Sequence, residues 1–361
     1  QFLQTLVLFL RSNLAGLGLY RLDSLASVLD RSLLILIAGS LLWVPAWRAH
    51  FSLWWFVLAQ TAAYLLAAGF LLALLWPRLQ RVVRLPQWPL VAAMLRASAP
   101  YALAVFLMTL YTRVDAVMIE RLHPTGLAEN DHYAAAYRLL DAANLAGFLL
   151  AGLLLPMFAR LIKEKMSVAP LTRLGLQTIW TGAISLAVSC WWLATPIMEG
   201  LYVDGNAYSG HILQWLMLTF IPVSGGYVYG TLLVAAGELR TLNRFYLAGV
   251  LLNVLLNALL IPRWGAMGAA WATFATQSGI FAAQLGLSVR HLALPVNPPL
   301  VVRILLFTAL LAAAGYGWRE WTGDWHWLVK FTGSVCTGGL LAFVFRLLDL
   351  KSWLQWLGKG G

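Results

Sequence analysis

Apolar runs of about twenty residues follow one another along this chain with short polar breaks between them, and no other feature restricts its fold so severely. About twenty helical residues cross a hydrocarbon core of roughly 30 Å. In lipid every backbone N–H and C=O must be satisfied internally, which a helix achieves and an open loop does not. The runs predict spans over 25–47, 52–75, 98–120, 132–158, 173–198, 208–235, 242–262, 267–290, 300–318 and 326–347, with residues 1–10 as the tail of an earlier helix. The expected fold class is all-α: a polytopic membrane protein of about ten transmembrane helices plus a stub. With 61% of residues hydrophobic and 11% charged, nothing is left for a soluble domain. No loop is long enough for a nucleotide-binding or catalytic domain, and there is no Gly-rich phosphate loop, which argues against an ATP-driven pump.

The formal charge of +11 would suggest nucleic acid as the partner of a soluble protein. Here the cations sit in short loops between spans, and they alternate. One set of loops holds Arg11 and Arg21; Arg78, Arg81, Arg84 and Arg96; Arg160, Lys163, Lys165 and Arg173; Arg240 and Arg244; Arg290 and Arg303; and Arg346, Lys351 and Lys359. The intervening loops hold Arg48, Arg121, Arg263 and Arg319, together with Glu129, Asp131, Glu199 and Asp204. By the positive-inside rule the first set is cytoplasmic, and so is the C-terminus. The charge is thus explained by orientation, and no nucleic acid is expected. Cys190 and Cys336 both lie in apolar runs far apart, which indicates neither a disulfide framework nor a metal cluster. The opening "QFLQTLVLFLRSN" starts in mid-run on Gln, with no signal-peptide layout. The expectation is a chain that lacks its first helices.

The longest basic connector, "WPRLQRVVRLPQWPLVAAMLRASAP" from Trp76 to Pro100, is interrupted by prolines and reads as a linker between two helical lobes. The expected division is a remnant of a first lobe at 1–76, a cytoplasmic basic linker at 77–97, a second six-helix lobe at 98–290, and two further helices with a cytoplasmic tail at 291–361.

One stretch breaks the apolar pattern. "LYTRVDAVMIERL", Leu110 to Leu122, places Arg113 and Asp115 inside a predicted span, and the next span holds Arg138 and Asp141. At the helical rise Arg113 and Asp115 lie about 10 and 8 Å below the outer end, and Arg138 and Asp141 about 9 and 13 Å deep, so the four charges are nearly level. Arg138 and Asp141, three apart, share a face, while Arg113 and Asp115 point roughly 200° apart, so only one of the latter can meet the former pair. Each charge in hydrocarbon costs about 2.5–3.5 kcal/mol even on lenient scales, which forces such groups toward protein or water. Two readings remain open. The four lock two helices as an ion-pair network, or they line a cavity where an arginine meets an anionic group and an aspartate binds a coupling ion.

Asn253 and Asn257 share one face of "NVLLNALL" and are expected to hydrogen-bond a neighbouring helix. Pro222, Gly225 and Gly226 in "FIPVSGGYVYG" mark a kink or hinge in mid-span. Trp43, Trp47, Trp54, Trp55, Trp76, Trp318, Trp321 and Trp325 gather at span ends as interfacial anchors.

The succession "YTRVDAVMIERL", "HYAAAYRLLDAANLAGFLLAGLLLPMFARLI", "GLYVDGNAYSGHILQWLMLTFIP" and "NVLLNALLIPRWGAMGAAWATFATQS" resembles polysaccharide exporters of the multidrug/oligosaccharidyl-lipid/polysaccharide superfamily, the O-antigen flippase type, over most of residues 98–290. The resemblance implies a MATE-like bundle of two six-helix lobes around a central cavity, commonly followed by two extra helices, in the bacterial inner membrane. It implies a flippase that moves polyprenyl-pyrophosphate-linked oligosaccharide for surface polysaccharide, with no covalent chemistry and no cofactor beyond a coupling ion, proton or sodium. Lipid-linked oligosaccharide, membrane lipids and other polysaccharide-assembly membrane proteins are the partners implied. A peptidoglycan-precursor flippase, a cation-coupled drug exporter and, from another class, a membrane glycan polymerase or ligase are the alternatives. The resemblance favours the cavity reading of Arg113, Asp115, Arg138 and Asp141, because cavities of this family are cationic and their substrates carry pyrophosphate.

Overall fold

A computed structural model describes residues 2–17, 19–44, 52–79, 88–295, 297–321, 323 and 325–349. Trp47, Arg48, Arg81, Arg84, Lys351, Lys359 and the middle of the expected linker lie outside the described residues. All regular structure among the described residues is helical: α1 Phe2–Gly16, α2 Tyr20–Trp43, α3 Leu53–Leu79, α4 Trp88–Leu122, α5 Gly126–Lys163, α6 Ala169–Leu201, α7 Ala207–Ala235, α8 Leu239–His291, α9 Pro298–Glu320 and α10 Trp327–Val344. Nine of these are long and apolar enough to cross a membrane. The tenth expected span is present too, because α8 is broken at Gly265 into α8a (239–264) and α8b (266–291). The chain is a multi-pass membrane protein.

The helices overrun the apolar runs at their ends. α4 begins at Trp88 rather than near 98, passing through Pro89 and Pro100, and α5 begins at Gly126 rather than 132. A helix continues past the lipid boundary because backbone pairing is as favourable there as in the core. The expected linker is accordingly helical at both described ends.

The chain divides into two compact units, Gln1–Ala92 and Ala93–Gly361. In the first, Val7, Leu10 and Leu14 form one stripe of α1 and pack on Ala26 of α2 and on Ala67, Ala68, Leu71 and Leu75 of α3. The small alanines let the backbones approach, and Arg11 Nε donates to Asp23 Oδ1 at 2.9 Å to tie α1 to α2.

In the second unit α6 and α7 are mostly buried and the other helices pack around them. A core of Leu193, Ile197 and Met198 from α6 with Ile212, Leu216 and Phe220 from α7 fills one end. Leu154, Phe158 and Leu161 from α5 with Leu171, Val228 and Leu232 fill the other. α7 starts at a capping box in which Asn206 and Ser209 satisfy each other's backbone N–H groups. α9 and α10 pack on α6: Gly338 sits on Ser185, Gly315 on Trp192, and the Ser189 and Ser334 hydroxyls lie 2.8 Å apart. α7 runs as helix through Pro222. Gly225 there faces Phe281 and Trp180, and Gly226 faces Gln284 Oε1, so these glycines bring α8b close to α7.

Candidate functional site

A cavity of about 570 Å³ opens within the second unit between α4, α5, α7 and α8. It follows from where the sequence places its charges. Arg113 and Asp115, two positions apart on α4, leave the helix on opposite sides. Arg113 turns into the cavity, where its Nη2 meets Asp141 Oδ2 of α5 at 3.0 Å and its guanidinium stands 5.3 Å from the centroid of the Tyr137 ring. The two side chains are 61% and 40% exposed, so the pair is solvated and worth about 0–1 kcal/mol. A pair this weak yields to an anionic group that makes two or more bonds to the arginine fork. Asn144, Phe148, Tyr227, Tyr246, Gln277 and Gln284 line the rest of the cavity.

Arg138 does not join this pair, contrary to the shared face expected from its spacing to Asp141. It lines a separate pocket at the cation-poor end, with Ala128, Asp131, His132 and Ala135. At 100° per residue those positions centre about 140° away from the α5 face that carries Tyr137, Asp141, Asn144 and Phe148. Asp141 itself sits at one edge of the cavity face. Three-residue spacing therefore put Arg138 past that edge.

Asp115 points into the core of the unit and is fully buried. Its Oδ2 accepts from Tyr133 Oη at 2.7 Å and Thr273 Oγ1 at 2.6 Å, and its Oδ1 accepts from Asn257 Nδ2 at 2.6 Å. Asn257 Nδ2 also lies 3.0 Å from Asn253 Oδ1. The neighbouring helix expected for the asparagine pair is thus α4, through Asp115. Among the described residues Asp115 has no ion pair. Asn257 Oδ1 is buried without a partner. A carboxylate in a dry interior requires a countercharge or a proton. Two hydroxyls and two amides gather round Asp115, with Asn257 turning its Nδ2 to the carboxyl; their oxygens are the hard donors that suit a proton or an alkali cation, not a soft metal. Among the described residues no three His, Cys, Asp or Glu side chains converge on a point.

Sequence reasoning missed the stripe that connects these features. Glu129, Tyr133, Tyr137 and Asp141 follow one another at four-residue spacing along one side of α5. Tyr133 serves the buried carboxyl, Tyr137 lies beneath Arg113, and their rings are 5.5 Å apart. At the end of the stripe Glu129 Oε2 accepts from Tyr208 Oη at 2.6 Å and from the backbone N–H of Ala266 at 2.7 Å. Ala266 opens α8b, so a carboxylate from α5 caps a helix whose start has no cap of its own. Gly265 has φ +53° and ψ −132°, a conformation that suits glycine alone, and a Cβ there would run into Glu129. The repeat E-x₃-Y-x₃-Y-x₃-D and the Gly after "IPRW" were the available signals.

No protein-family model matches the chain and no curated protein matches it. Among solved structures it is similar to the lipid II flippase MurJ in an inward closed conformation, with a TM-score of 0.67 and 14% identity, over 98% of this chain and 72% of that one. At that identity the likeness establishes architecture alone: the chain shares the helical fold of that structure.

Proposed function

We propose that this protein is a flippase for a polyprenyl-pyrophosphate-linked glycan in the bacterial inner membrane, with its C-terminus cytoplasmic. The observation that carries the reading is Arg113: a cation held in a membrane-embedded cavity by one weak, solvated partner and an aromatic face. Pyrophosphate engages the guanidinium bidentately and releases Asp141, so substrate binding exchanges one ion pair for a stronger one. The tyrosines and amides on the remaining wall suit an uncharged glycan. Movement across the membrane makes and breaks no covalent bond. Surface-polysaccharide precursors were the class expected from the sequence, and the likeness to a lipid II flippase favours a peptidoglycan precursor as a second reading.

The buried Asp115 cluster is the proposed coupling-ion site, with Asp115, Asn253, Asn257, Thr273 and Tyr133 as the oxygen donors for a proton or a sodium ion. Asp115 and Arg113 leave the same turn of α4, so occupancy of one site bears on the orientation of the other.

The test is complementation in two hosts, one depleted of its peptidoglycan-precursor flippase and one lacking its O-antigen flippase. Restored growth or restored surface glycan identifies the cargo, and Arg113→Ala should lose either rescue. Rescue of neither, with cationic-dye efflux gained instead, would establish a drug exporter. Sodium and pH gradients imposed on proteoliposomes then distinguish the coupling ion, with Asp115→Asn expected to remove the dependence.

A further inference from the structure

The second pocket has a volume of about 680 Å³ and lies between α5, the end of α6, the loop that follows it and the start of α7. Nothing in the transport reading uses it. Its chemistry is unlike that of the cavity: Arg138 is exposed and Asp131 and Asp204 line the same walls, yet among the described residues none of the three makes an ion pair. A positive and a negative end are therefore held apart within one pocket. Along α5 Asp131 and Arg138 share a face at a rise of about 10.5 Å, and side chains lean toward the helix N-terminus, so Arg138 leans toward Asp131 without reaching it.

Depth narrows the ligand. Residues 142–159 of α5 carry no charge and extend about 27 Å, close to the hydrocarbon thickness of roughly 30 Å, with Arg160 at one boundary. On this measure Arg138 lies one turn beyond the other boundary, where lipid phosphates sit, and so is shallower than the depth of about 9 Å expected from the span ends. Val203, fully exposed at the tip of the loop, adds an apolar contact beside the pocket. The α7 N-terminus does not compete for an anion, because its capping box already satisfies it.

We propose that this pocket binds the headgroup of a zwitterionic phospholipid bearing a primary amine, with Arg138 on the phosphate and Asp131 and Asp204 on the ammonium. A guanidinium grips phosphate oxygens in a fork. Two carboxylates welcome a primary ammonium, which donates several hydrogen bonds, over a quaternary one, which donates none, and they repel a purely anionic lipid. The inference depends on the membrane reading of the fold but not on what the cavity carries.

The test uses the whole chain purified in a neutral maltoside. It is titrated with dihexanoyl phosphatidylethanolamine, phosphatidylcholine and phosphatidylglycerol, and separately with inorganic phosphate and pyrophosphate, while thermal unfolding is followed by tryptophan fluorescence. Phosphatidylethanolamine should raise the melting temperature saturably and at lower concentration than the other two lipids. Arg138→Gln should weaken that response about tenfold or more, the loss of one charge-assisted hydrogen bond to phosphate. Asp131→Asn with Asp204→Asn should erase the preference for ethanolamine over glycerol headgroups while leaving a phospholipid response. This second variant carries the test alone if Arg138→Gln fails to fold. An unchanged titration in Arg138→Gln, a preference for phosphatidylglycerol in the native protein, or equal stabilisation by inorganic phosphate or pyrophosphate would each overturn the assignment, the last by showing that the pocket reads a free anion.

Discussion

Replacing Asp115 separates a buried carboxyl that carries a proton or cation from one that merely fills space. Asp115→Ala removes the shared acceptor of three donors, the hydroxyls of Tyr133 and Thr273 and the Nδ2 of Asn257, in a place closed to water, and leaves them only Asn253 Oδ1 and each other's hydroxyl oxygens. Each stranded group costs about 1–3 kcal/mol in soluble proteins, and interhelical polar contacts in membranes average nearer 0.6 and reach about 1.7. The three together give an expected loss of about 2–5 kcal/mol. Asp115→Asn keeps the shape and one carbonyl acceptor toward Asn257. Its new NH₂ faces two hydroxyls, each of which can rotate to accept. An asparagine thus mimics a protonated aspartate, and the expected cost is about 1 kcal/mol or less. The assay is reversible unfolding in mixed micelles across a range of denaturing detergent, run for native protein and both variants with and without sodium. Native protein should gain stability from sodium or from mild acid, Asp115→Asn should be stable and indifferent to both, and Asp115→Ala should be weak throughout. If Asp115→Asn fell as far as Asp115→Ala, the bare negative charge would be the required species and the reasoning would be refuted.

In a double-mutant cycle for Arg113→Ala and Asp141→Ala, the coupling should be below about 1 kcal/mol because the pair is solvated, while glycan export is lost with Arg113 and poorly restored by Lys; a large coupling measured by thermal unfolding would mark the pair as structural. Gly265→Ala should cost about 1–3 kcal/mol for the backbone conformation alone, and combining it with Glu129→Ala should give less than the sum of the two, since each spoils the same cap; additivity in the unfolding assay would contradict this. Single cysteines at Asn130 and Asn206 should react with an impermeant thiol reagent added outside intact cells while one at Ser167 does not, and the reverse labelling would invert the orientation.

The transmembrane architecture was legible because length and polarity alone dictate it. The helix ends were less so: lipid ends at a boundary that composition marks, whereas the helices α4 and α5 end where backbone geometry does. Opposite orientation of Arg113 and Asp115 was readable from helical periodicity, as was the asparagine face. The partner of that face was not, because Asp115 and Asn257 are separated by 142 positions and no local pattern links them. Arg138 was misjudged for a related reason. Periodicity says which residues share a side of one helix but not where a cavity ends, and that edge is set by how α6 and α7 pack against α5.

The kink at Gly265 bears on how the molecule is made. α8a and α8b are joined by a turn too short to provide its own cap, and the group that completes α8b was synthesised 137 positions earlier. When the ribosome delivers α8b, the first N–H of that helix therefore finds its acceptor only if α5 is already inserted and turned with Glu129 toward the new arrival. A nascent chain whose α5 is misoriented therefore carries α8b into the membrane with an open end.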